Sequence, residues 1–96
     1  MAYRLLYTED SLADLQAVLG YIQRDNPDAA ERFGAALLDH VAQLAEFPRL
    51  GSPVTSRPGI RKLLHSPIRV YYTIDERKRQ VEILHFWHGA RRPPEL

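Results

Sequence analysis

Ile68-Arg69-Val70-Tyr71-Tyr72-Thr73-Ile74-Asp75, followed after a short polar stretch by Val81-Glu82-Ile83-Leu84-His85-Phe86-Trp87-His88-Gly89-Ala90-Arg91, decides the fold. Both stretches are rich in β-branched and aromatic residues, which suit a pleated, half-buried surface. Side chains alternate along a strand, so Ile68, Val70, Tyr72 and Ile74 fall on one face and Arg69, Tyr71 and Thr73 on the other. The same alternation puts His85 on the face of Ile83, as a packed or partner-facing residue. Asp75–Gln80 reads as the joint between the strands, with Arg77, Lys78 and Arg79 solvated at its tip.

Upstream, Gly59-Ile60-Arg61-Lys62-Leu63 opens a further strand near 60–65, joined to the next by the tight Ser66-Pro67. Each of these strands brings Arg, Lys or His to a small sheet. Such a cationic surface suits an anionic or protein target more than a small apolar ligand. Residues 48–59, with their prolines and glycines, read as an irregular loop.

The first half is helical. Tyr3–Tyr7 is a short strand candidate, and Thr8 can cap the helix that follows, with Glu9 and Asp10 facing its dipole. Leu12, Leu15, Leu19 and Ile22 recur at helical spacing. Asn26-Pro27-Asp28 stops this helix and starts another, since Asn caps well and Pro suits the first helical position. The second stripe is Ala30, Phe33, Leu37, Val41 and Leu44, ended by Pro48. The predicted order is β-α-α-β-β-β: an α+β fold, a small and mainly antiparallel sheet with an N-terminal helical hairpin on one face.

The 96 residues predict one domain over 1–96. No apolar run approaches the ~20 residues of a membrane span, and no export leader is visible. Cysteine is absent. These features fit a reducing cytoplasm, and a cytoplasmic protein without membrane association is expected. The net charge of +1 hides a polarity. Residues 1–47 carry three Arg against eight acids, giving −5, while residues 48–96 carry ten Lys and Arg against four acids, giving +6. The basic charge therefore belongs to the strands.

Several side chains carry candidate chemistry. Arg69 sits mid-strand opposite the apolar stripe, exposed or covered by a partner; a cross-strand pair with Glu82 is the structural alternative. Arg61 and Lys62 alternate, so only one shares the face of Arg69. Arg91 follows Gly89, whose freedom lets the chain turn the guanidinium back over the sheet. An imidazole suits proton transfer near neutral pH, which makes His85 and His88 candidates, and His88, at the strand end, is the better one. His40 and His65 are assigned no role. The histidine spacing matches no zinc site, and neither metal nor cofactor is expected.

In order, the segment Leu15-Gln16-Ala17-Val18-Leu19-Gly20-Tyr21-Ile22-Gln23-Arg24-Asp25-Asn26-Pro27, the Phe47-Pro48-Arg49-Leu50-Gly51 loop, Gly59-Ile60-Arg61-Lys62-Leu63, Arg69-Val70-Tyr71-Tyr72 and His88-Gly89-Ala90-Arg91 make the chain resemble the RelE/ParE superfamily. These are bacterial toxins of type II toxin–antitoxin systems, and the resemblance, almost chain-long, is nearest to the ParE-like branch. It implies a toxin that poisons DNA gyrase and is held by a cognate antitoxin in a hetero-oligomer. The alternative it implies is a RelE-like, metal-independent nuclease cutting mRNA on the ribosome; a weaker one is an inactive antitoxin-binding module. Target contacts would fall to Arg61, Arg69, His88 and Arg91. In a ribonuclease, Lys62, Arg69 and His88 would act, with Arg69 at the scissile phosphate. Antitoxin contacts would fall to Leu12, Leu15, Leu19, Phe33, Leu37 and Trp87. Related nucleases carry a Tyr in the tail, whereas Gly89 follows His88 here and no Tyr comes after it, which favours the gyrase reading.

Overall fold

A computed structural model describes residues 2–96. Strand β1 (Arg4–Tyr7) leads into helix α1 (Glu9–Asp25) and helix α2 (Pro27–Ala42), which tightens into a 3-10 turn at Gln43–Ala45. Strands β2 (Ser52–Pro53), β3 (Ile60–His65), β4 (Ile68–Asp75) and β5 (Gln80–His88) follow. The sheet order is β1-β5-β4-β3-β2, with β1 parallel to β5 and every other pairing antiparallel.

The helix boundaries follow from their caps. The Thr8 hydroxyl accepts from the Ser11 amide at 3.1 Å, and Glu9 and Asp10 occupy the first turn. Asn26 closes α1 with its backbone N–H and opens α2 with its side chain, which accepts from Ala29 N–H at 3.0 Å. One residue thus serves both helices, and the hairpin needs no loop. Gly34 lets them approach: a Cβ there would lie 3.2 Å from the methyl carbons of Leu19.

The hairpin covers one face of the sheet. Leu37, Val41 and Leu44 form the helical side of the core, against Leu63, Ile68, Val70, Tyr72, Val81, Ile83 and Phe86. Leu37 is 0% exposed. This corrects its assignment as an antitoxin contact: it sits on the inner side of the α2 stripe and is sealed by the sheet.

Residues 48–59 are more ordered than their prolines suggest. β2 pairs Ser52 with Lys62 and Pro53 with Arg61. The buried Tyr72 hydroxyl donates to Pro48 O at 2.7 Å and accepts from Gly51 N–H at 2.9 Å. Arg61 donates to Gly51 O at 2.7 Å and to Arg49 O at 3.3 Å. Gly51 is obligatory here, because a Cβ would come within 2.4 Å of Lys62 O.

Strict alternation fails at one place. Tyr71 pairs with His85 but Tyr72 pairs with Ile83, so Leu84 is an extra residue in β5. This bulge reverses the facing of everything after it. Phe86 joins the core beside Ile83, while His85 turns to the face of Tyr71 and Arg69. The expectation that His85 shares a face with Ile83 is therefore corrected.

Candidate working face of the sheet

The face of the sheet turned from the helices is built in rungs, since residues directly paired across strands point the same way. Lys62, Tyr71 and His85 form one rung; Leu64, Arg69 and Trp87 form the next. Neighbouring strands lie ~4.8 Å apart, so each rung puts a cation or imidazole within reach of an aromatic ring. Leu64 is 63% exposed, whereas Tyr71 is buried beneath its neighbours. Glu82 lies opposite Thr73, four residues along β4 from Arg69. At ~3.3 Å per residue, that is too far for an ion pair. Among the described residues, neither Lys62 nor Arg69 has a carboxylate partner.

The corner after β5 folds back on this face. Gly89 N–H donates to Pro67 O at 2.7 Å, and Arg91 N–H to His88 O at 3.0 Å. The Arg91 guanidinium comes to rest 4.3 Å from the centre of the Trp87 ring, a cation–π contact. Trp87 Nε1–H donates to Arg92 O at 2.6 Å. Arg69, Trp87 and Arg91 thereby share one corner of the face.

The structure separates the other candidates from this group. Arg61 pairs with Tyr72, on the helix-facing side, and its guanidinium clamps the 49–51 loop. His88 lies opposite Ile68, and its Nδ1 accepts from Ala90 N–H at 3.1 Å. It shapes the corner and does not line up with Arg69. Part of the basic surplus is also committed elsewhere. Glu76 bonds the Tyr3 hydroxyl and the Arg49 guanidinium, and Arg79 lies 4.7 Å over the Tyr3 ring. Those hydrogen bonds, from Tyr3 first and then Arg49, hold the Glu76 carboxyl below its usual range.

One constellation escaped the sequence reading. β1 covers β5 only as far as Ile83, which leaves the backbone of residues 84–86 unpaired on that edge. Helix α1 finishes the edge with side chains. The Thr8 hydroxyl donates to Ile83 O at 2.8 Å. Asp14 Oδ2 accepts from Phe86 N–H at 3.2 Å and from His85 Nδ1 at 2.8 Å. His85 also meets Trp87 edge-on, 5.8 Å between ring centres. A carboxylate on the helix is thus tied to an imidazole on the open face. Only the bulge makes this possible, and a single Leu in an apolar strand gives no sign of a bulge.

On the helical side, Leu12 is 51% exposed and lines a shallow groove along α1 with Ala13, Leu15, Gln16 and Leu19. Leu15 and Phe33 are half-buried against the core. His65, facing the helices, brings its Nδ1 to 2.9 Å from His40 Nδ1, with the Phe33 ring edge-on at 5.6 Å. Burial, and then the proximity of His40, lowers the His65 pKa below its ordinary 6.5. Among the described residues no group of three His, Asp or Glu could hold a metal. Among the described residues no helix is long and apolar enough to cross a membrane.

Residues 5–93 match the model of the ParE toxin of the type II toxin–antitoxin system parDE. The Y4kP protein of Sinorhizobium fredii is 35% identical over 94 residues, 97% of this chain and 95% of that one. Toxin RelE2 of Caulobacter vibrioides is 34% identical over 90 residues, 92% and 97% of the two chains. Among solved structures, a chain of the chromosomal ParDE system of P. aeruginosa superposes with a TM-score of 0.77 at 21% identity, covering 91% of this chain and 96% of that one. A chain of the RelBE2 toxin–antitoxin complex of Mycobacterium tuberculosis gives 0.67 at 25% identity, covering 92% and 99%.

Proposed function

The chain belongs to the ParE toxin family of type II toxin–antitoxin systems, and from that premise we propose that it arrests growth by poisoning DNA gyrase until a cognate antitoxin silences it. The observation that carries this reading is the open sheet face, where Lys62, Arg69 and Arg91 present charge that, among the described residues, no carboxylate pairs, beside Trp87 and Leu64. Unpaired cations next to exposed apolar surface suit an acidic protein partner. His88, the proton-transfer candidate of the sequence, is engaged by Ala90 N–H and lies off this face, which favours binding over catalysis. The α1 groove around Leu12 supports docking of an antitoxin segment through its apolar residues.

A second reading, a ribosome-dependent mRNA endonuclease, is favoured by His85 standing on the rung of Lys62 with a carboxylate behind it. The name of the Caulobacter relative points the same way. Induced expression separates the two. Gyrase poisoning gives filaments and a DNA-damage response while translation continues at first. Early translation arrest, with new mRNA ends inside reading frames, would overturn the gyrase reading in favour of the nuclease.

A further inference from the structure

We infer that Asp14 and His85 form a positioning pair of the working face, with Asp14 holding the imidazole so that Nε2 receives a hydrogen-bond donor of the target. The inference rests on the reading of the open face as the toxin's working surface. Asp14 Oδ2 lies 2.8 Å from His85 Nδ1. An ionised carboxylate can only accept, so the proton of a neutral His85 belongs on Nδ1, and Nε2 carries the lone pair. The ring cannot swing freely, because Trp87 meets it edge-on and Asp14 is itself fixed by Phe86 N–H.

Asp14 could serve only to satisfy the Phe86 amide, and His85 could be a passive neighbour. Three features argue for more. A backbone amide needs an acceptor but no imidazole, and Thr8 already shows how a hydroxyl closes this edge. The bulge at Leu84 turns His85 onto the face of Lys62 and Arg69, and bulges are devices that re-aim a side chain. The His85 side chain keeps 19% of its surface open, enough for one contact. With the imidazole uncharged, the site offers an acceptor at Nε2 on a rung with Lys62. It fits a hydroxyl or amide donor of the target lying next to an acidic group.

Two substitutions separate this role from a structural one. In His85→Asn the amide nitrogen takes the place of Nδ1, so the link to Asp14 survives and nothing stands at Nε2. We expect growth inhibition at least ~10-fold weaker, the cost of one lost hydrogen bond at a desolvated contact. The thermal midpoint and antitoxin binding should stay as in the parent chain. His85→Gln, whose amide reaches the Nε2 position, should restore part of the activity. In the parent chain, ¹⁵N spectra should show His85 Nδ1 protonated and Nε2 bare, and Asp14→Asn should mix the tautomers and weaken toxicity.

A stable His85→Asn chain as toxic as the parent would overturn the pair while leaving the toxin reading intact. Should His85→Asn fail to fold, a protonated Nε2 in the parent spectrum, or a fully toxic Asp14→Asn, would overturn it equally. A parent chain that neither slows growth nor binds the cognate antitoxin would sink the toxin reading and the pair's role with it.

Discussion

Arg61 and Lys62 are neighbours in β3, yet they point to opposite faces of the sheet and meet opposite fates. Arg61, on the helix-facing side, donates to Gly51 O and Arg49 O and holds a loop that Tyr72 also anchors. Lys62 stands on the open side with Tyr71 and His85, one rung from Arg69 and Trp87. On the inner side Arg61 and Tyr72 are held by backbone partners, because an unpaired polar group there costs free energy. On the outer side Lys62 and Arg69 have, among the described residues, no carboxylate partner and remain available to a target. Surplus charge alone therefore does not mark a working surface. Of the cations in the second half, Arg49, Arg61 and Arg79 brace the fold, and Lys62, Arg69 and Arg91 line the open face.

Substitutions can break this contrast. The largest effect should come from Leu37→Ala. It empties a fully buried site and should cost ~2–5 kcal/mol by denaturant unfolding. Leu12→Ala, at a position 51% exposed, should leave stability within about 0.5 kcal/mol and weaken antitoxin binding. Equal destabilisation by the two would dissolve the distinction between core and docking stripe. Next comes Tyr72→Phe, which strips a partner from both Gly51 N–H and Pro48 O in a buried setting. It should cost ~1–3 kcal/mol and loosen the loop, read as faster amide exchange at Gly51.

The cations of the two faces should respond differently to truncation. Arg61→Met should lower stability by ~1 kcal/mol through the lost loop clamp. Arg69→Ala should change it by less than about 0.5 kcal/mol and abolish most toxicity. A fully toxic, stable Arg69→Ala chain would remove Arg69 from the working surface.

The smallest effect concerns pH. Burial lowers the folded-state pKa of His65 below 6.5, while the unfolded chain keeps the ordinary value. Between the lowered value and 6.5 the unfolded chain binds more protons, so stability falls as pH drops through that window and levels off below it. His65→Gln should flatten the thermal-midpoint curve there. An unchanged slope would assign the dependence to other groups.

The local elements could be read from neighbouring residues alone. Caps at Thr8 and Asn26, Pro at the first turn of α2, and 3.6- and 2-residue periodicities act between near neighbours, so the helical hairpin and the β3–β5 meander were legible with close boundaries. The family motifs likewise pointed to the fold. Tertiary structure decided which side chains share the working face. One extra residue at Leu84 inverts the second half of β5, moving His85 outward beside Arg69 while His88 stays opposite Ile68. Asp14 joins His85 across 71 positions of sequence, because β1 ends at Tyr7 and leaves an edge for α1 to close. Bulges and edge repairs of this kind are settled by backbone hydrogen bonds between distant segments, and no local residue pattern records them.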